Sequence, residues 1–208
     1  VIFKNINFYK NYKTHLTGAI NFYKADVDFI NTEFTDSSAE DFLNITHSNF
    51  RIINSKFINC ESDAFDSDFS IGVIENSEFQ KIKGDAVDFS GSNVVIKNSN
   101  FNLVDDKAIS AGESSQITSK NNSFFETSIA IASKDKSIVN AKNDIFSQSK
   151  LYDVVAFNKK SFFEKGGFIN IDNNNENLDL KMKSDFLSEI IFNDVKIKKE
   201  KLNLDEIY

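Results

Sequence analysis

Proline and tryptophan are absent from this chain, and cysteine, methionine and arginine each occur once. One cysteine, Cys60, excludes an internal disulfide framework and a cysteine-rich zinc site. No apolar run approaches the ~18 residues of a membrane-spanning helix. The net charge of −7 argues against a general nucleic-acid binder, which needs a basic face for phosphates. There is no signal peptide and no starting methionine. Val1 therefore reads as a cut into a longer chain, and any targeting segment would lie in the missing part.

What the chain does have is a repeat. Its 208 residues, 40% hydrophobic, are enough for one domain with a core, and phenylalanine occurs 22 times. The motif Asn-x-x-Phe recurs at Asn31/Phe34, Asn54/Phe57, Asn76/Phe79, Asn98/Phe101, Asn121/Phe124 and Asn143/Phe146. The interval is 22 or 23 residues, with Phe8 as a possible forerunner and Phe168 as a continuation. Ala64, Ala86, Ala108 and Ala130 run in phase with it. Between the markers, apolar and polar residues alternate as in a strand, for example in Val87-Asp88-Phe89. Three short strands per repeat describe one coil of a solenoid. Coils stacked at roughly 4.8 Å bury a shared core that none could bury alone. The expected fold is all-β: a right-handed parallel β-helix of about seven coils over residues 1–175, with a capping extension over 176–208.

The phrases DAVDFSGS, DKAISAGESS and IAIASKDKS resemble repeats of the pectate-lyase-like right-handed β-helix superfamily, in bacterial secreted or surface proteins. The resemblance spans about residues 17–175. It implies an extracellular or cell-surface location, and polysaccharide or neighbouring domains of a longer chain as partners. It says little about chemistry.

Residues one repeat apart stack in columns. Asn54, Asn76, Asn98, Asn121 and Asn143 should form a ladder at one turn, because asparagine tolerates left-handed backbone and its amide can bond up and down the stack. The phenylalanine row should stack inward. Cys60 shares a column with Ile82, Val104 and Thr127 and should be a buried, inert thiol. Glu33, Lys56 and Glu78 form a ladder of alternating sign, and Arg51 should pair with Asp28. Lys97, Lys120 and Lys142, flanked by Glu75 and Glu164, make a basic stripe that could bind an acidic glycan. A solvated surface row is the plainer alternative. Asp63 stacks on Asp85 and Asp66 on Asp88, with Asp41 and Asp68 nearby. Stacked carboxylates repel unless solvated or bridged by a cation. Asp63, Asp66, Asp85 and Asp88 are the candidate calcium ligands, and the resemblance adds weight, since lyases of the superfamily often bind calcium on one β-helix face.

Catalysis has little support. The Gly-His-Gly and Arg-Ile-Lys motifs that accompany the acids in the superfamily's galacturonan hydrolases are missing, and neither His15 nor His47 has an acidic partner in phase. Coils of constant length leave no loops to wall a cleft. The expectation is a non-catalytic scaffold or glycan-binding module. The alternative is a polysaccharide lyase or epimerase with Lys107, one coil above Asp85, as base; a lysine among carboxylates should instead stay protonated. The tail from Ser184 could be a helix carrying Phe186, Leu187, Ile190 and Ile191 on one face, or a hairpin turning at Asn193-Asp194. Its tyrosine end reads as a natural terminus.

Overall fold

The computed structural model describes residues 1–7, 16–173 and 179–208. The chain is a parallel β-solenoid of about eight turns. Each coil lays one strand on each of three faces. The first face carries Ile2–Lys4, Glu33–Ser37, Lys56–Cys60, Glu78–Ile82 and Ile145–Ser147. The second, here the aspartate face, carries Gly18–Tyr23, Asp41–Thr46, Asp63–Asp68, Val87–Ser90, Tyr152–Phe157 and Met182–Ser184. Two long strands, Asn100–Gly112 and Ser123–Lys134, bend from the first face into the second. The third, the lysine face, runs from Val27–Ile30 to Glu189–Phe192. No helix among the described residues is long and apolar enough to cross a membrane.

The asparagines make the corner into the first face. Asn31, Asn54, Asn76, Asn98, Asn121 and Asn143 all have φ between 50° and 54°, the left-handed region that asparagine enters at low cost. Their side chains do not form the expected ladder throughout: one amide bond of this column is present, from Asn121 Nδ2 to Asn98 Oδ1 at 3.3 Å. The continuous ladder lies one residue later and points inward. The backbone N–H of Ser55 donates to Ser77 Oγ, that of Ser77 to Ser99 Oγ, that of Ser99 to Asn122 Oδ1 and that of Asn122 to Asp144 Oδ1. A second serine ladder, Ser48, Ser70, Ser92, Ser115 and Ser137, closes the opposite corner in the same way. These small hydroxyls satisfy backbone donors that the turn would otherwise bury unpaired.

The phenylalanine row is the spine of the core. Phe34, Phe57, Phe79, Phe101, Phe124 and Phe146 stack with ring centroids 4.4–5.3 Å apart. Phe3, aligned with Phe34, heads the row. Phe8, proposed for that place, lies outside the described residues, as does His15. Phe168 does not continue the row: it pairs with Ile138 on the lysine face. The phase is lost because ten residues, 158–167, separate Tyr152–Phe157 from Phe168–Asp172, whereas three residues make the same corner one coil earlier. Cys60, Ile82, Val104 and Thr127 form one buried column, and burial pushes the Cys60 thiol up to about 12. Arg51 pairs with Asp28 at 3.2 Å, and Lys56 with Glu78 at 3.0 Å.

The tail is a hairpin. Glu189–Phe192 and Val195–Lys196 pair antiparallel about Asn193 and Asp194, whose φ values of 46° and 64° suit a primed turn. The strand pairs in parallel with Phe168–Asp172 and covers the last coil of the lysine face. The remaining residues fold back along the side of the solenoid. Leu202, Leu204 and Ile207 pack on Ile129, Ala132, Val155 and Phe157, which face outward from the aspartate face.

Candidate functional site

The outer side of the aspartate face changes chemistry along the axis. One column carries Asp41, Asp63, Asp85 and Lys107, then Ile129. The next carries Asn44, Asp66, Asp88 and Ser110, then Ala132. A third carries Thr46, Asp68, Ser90 and Gly112. Carboxylates thus give way to lysines and then to the apolar patch under the tail.

Two of these carboxylates have backbone partners. Asp63 Oδ1 accepts the N–H of Asp85 at 2.8 Å, and Asp85 Oδ1 accepts the N–H of Lys107 at 2.9 Å. Gly84 leaves room for the first of these bonds, since a Cβ there would meet Asp63 Oδ1 at 2.1 Å. The column therefore closes a corner of the coil as well as presenting charge.

Lys107 is 1% exposed and bonds Asp85 at 3.3 Å and Asp106 at 2.7 Å. Lys134, also buried, lies 3.6 Å from Asp88. The Tyr208 ring covers both Lys107 Nζ, 4.7 Å from its centroid, and Lys159 Nζ, at 4.2 Å. Burial opposes charge on Lys107, but Asp85 and Asp106 outweigh it and hold the ammonium above its ordinary value. Lys134 is raised in the same way by Asp88. Lys159 is lowered, by burial and then by Lys134 and Lys107.

Acids outnumber these cations, and the carboxyls respond by holding protons. Burial, then Asp85, pushes Asp63 up to about 8. Burial, then Asp68, pushes Asp66 up to about 9. Asp85 rises only to about 6, because Lys107 offsets its burial. Asp41 and Asp68 are raised, chiefly by burial. Asp41 Oδ2 and Asp88 Oδ1 are buried without a hydrogen-bond partner.

Of the four proposed calcium ligands, Asp63, Asp85 and Asp88 bring oxygens within 4.8 Å of one another. Asp66 falls outside that group and accepts instead from Asn44 Nδ2 at 2.9 Å. On the lysine face, Lys97, Lys120 and Lys142 stack in register. Their flanking acids are Glu75 and Asp172, not Glu164, because the inserted loop shifts the phase. Lys97 pairs with Glu75 at 3.1 Å and Lys142 with Asp172 at 2.7 Å, so the stripe is largely neutralised. His47 stacks on Phe69 at 5.1 Å.

Sequence reasoning missed Lys134, Lys159 and Tyr208. Lys134 was within reach of column counting, since it lies 22 residues after Gly112. Lys159 and Tyr208 were not, because one lies in the inserted loop and the other arrives by fold-back. Beside that loop, a polar cavity of about 70 Å³ is lined by Asp88, Ser90, Glu113, Lys134, Lys159 and Lys160, room for water rather than a sugar.

No family model matches the chain, and none of the curated proteins matches it either.

Proposed function

We propose that this chain is a non-catalytic β-helix module of a longer secreted or surface polypeptide, and that it binds a glycan on the outer side of the aspartate face. The observation that carries this is the array of Asn44, Thr46, Asp66, Asp68, Asp88 and Ser90, six polar side chains in register on adjacent strands, half-buried except for the buried Asn44. Carboxyls, an amide and hydroxyls at fixed spacing match the hydroxyls of a sugar chain. The array is a flat strand surface, which suits a polymer laid along it better than a small molecule closed in a cleft. Screening on immobilised glycans tests this. Binding lost on Asp66→Asn with Asp68→Asn supports it, and binding unchanged by that pair assigns the contact elsewhere, with the lysine stripe next in line.

Calcium belongs to the same proposal. Asp63, Asp85 and Asp88 would supply carboxylate oxygens, and Asp88 Oδ1 is buried without a hydrogen bond, with only Lys134 at 3.6 Å beside it. Lys107 and Lys134 compete for those oxygens. Calorimetric titration should show uptake that Asp88→Asn weakens. No heat at millimolar calcium would leave protons and the two lysines as the only compensation.

One observation favours the rival lyase or epimerase: Lys107 stands among carboxylates of unequal proton affinity. Its closed, charged setting opposes a role as base, which needs the free amine.

A further inference from the structure

The corner between the aspartate and lysine faces carries an exposed aromatic rail. The Tyr23 ring meets His47 edge-on at 6.0 Å, and His47 stacks on Phe69 at 5.1 Å. Phe69 in turn lies over Gly91, whose φ is 62° and where a Cβ would meet the ring at 2.6 Å. Tyr23 is 62% and Phe69 55% exposed. His47 and Phe69 have φ of 51° and 49°, a strained region for a bulky side chain. The coil does not need an aromatic there, since Lys24 and Gly91 hold the equivalent left-handed position one coil to either side of this pair. The left-handed backbone belongs to the coil, so what sets this pair apart is the exposed aromatic surface, which points to use rather than to folding.

The rail borders the polar array directly. Thr46 and Asp68 immediately precede His47 and Phe69 in the chain. The nearby face carries Asp41, Asp66, Asp68 and Asp88, and Lys134 is the cation paired with the last of them. The array presents carboxyls, hydroxyls and an amide, and no free cation for a uronate or sulfate, Lys134 being paired with Asp88. Uncharged hydroxyls suit it, since they donate to the carboxyls and accept from the amide and hydroxyls.

Building on the glycan-binding proposal, we infer that the ligand is an uncharged polysaccharide, laid along the solenoid axis with the C–H surface of its sugars on Tyr23, His47 and Phe69 and its hydroxyls on the adjoining carboxyls. Aromatic side chains supply large, rigid apolar contact with little loss of freedom, so they should dominate the affinity.

Affinity electrophoresis through gels containing hydroxyethylcellulose or laminarin, set against polygalacturonate and alginate, tests this. The neutral polymers should retard the protein. Phe69→Ala and Tyr23→Ala should each weaken that retardation by about tenfold while thermal unfolding shifts little. Phe69→Lys, which copies Lys24 at the equivalent position, serves if the alanine variant folds poorly. Retardation by acidic polymers alone would overturn the inference and leave glycan binding standing. Neutral binding indifferent to the rail variants would also overturn it. Binding to neither class would remove both proposals.

Discussion

Lys107 Nζ lies 3.3 Å from Asp85 Oδ1, and both side chains are closed off from solvent. A buried pair of this kind contributes little net stability while intact, yet either charge left alone is costly. Lys107→Met should therefore destabilise the fold by about 3–5 kcal/mol. Adding Asp85→Asn should recover part of the loss, since the amide oxygen can still accept the Lys107 N–H. Chemical denaturation of the single and double variants measures both. Losses that simply add, the double variant costing the sum of the two single ones, would show that the pair is not coupled.

Stability should fall as pH rises through neutrality. Asp63, Asp66, Asp85 and Asp144 have folded values of about 8, 9, 6 and 6, against an ordinary 3.8. Burial leads in each case. Between about 4 and each folded value, the folded state holds a proton that the unfolded state has lost. The slope of unfolding free energy with pH is then negative, up to about 1.4 kcal/mol per pH unit for each such group. The window closes near pH 6 for Asp85 and Asp144, and near pH 8–9 for Asp63 and Asp66. Thermal melts should show a lower Tm at pH 8 than at pH 5, and Asp144→Asn should flatten the lower part of the slope. A Tm that is level or rises over that range would refute the buried-carboxyl account.

The two residues that begin each corner should respond differently. Ser77 Oγ accepts the N–H of Ser55 and donates to the Glu75 carbonyl at 2.9 Å. Ser77→Ala strands a buried N–H and should cost about 1–3 kcal/mol. Asn76 has φ of 51°. Asn76→Ala should cost about 1 kcal/mol through backbone strain, and Asn76→Gly less. Denaturation midpoints rank the three. If Asn76→Gly proved the most damaging, the asparagine side chain would carry the corner after all.

This contrast bears on what was legible beforehand. The coil, its period and the phenylalanine row could be read from Asn-x-x-Phe because each repeat imposes the same backbone on the same residue type. The asparagine column was read for its left-handed backbone and for its amide, and the backbone conformation is what recurs; the hydrogen-bonded ladder belongs to the serine beside it. The stacked aspartates could be counted from the period as well. Lys107 could be counted in the same way, one coil above Asp85; Lys134 was harder, because it lies two coils from Asp88, the acid it compensates. Phe168 and Glu164 were misplaced for one reason: counting by 22 fails at the corner 158–167, where ten residues stand in place of three. Tyr208 reaches Lys107 only because Leu202, Leu204 and Ile207 find an apolar strip on the outside of a strand, and no local pattern announces that.

The fold-back segment should be needed for solubility. Deleting residues 202–208 uncovers Ile129, Ala132, Val155 and Phe157 together, an apolar patch on an otherwise polar face. The shortened chain should bind a hydrophobic dye and self-associate, and Lys107 should become reactive to acetylation. A shortened chain that stays monomeric, with Lys107 still protected, would show that the segment covers nothing essential.

The central claim, binding without turnover, is tested most directly by ultraviolet absorbance at the unsaturated-uronate band during incubation with polygalacturonate and alginate, with and without calcium. The account predicts no rise in absorbance for the wild-type chain, as for Lys107→Ala, because the ammonium among Asp85 and Asp106 has no free amine to abstract a proton. A steady rise that disappears in Lys107→Ala would contradict it and make this lysine the base of a lyase.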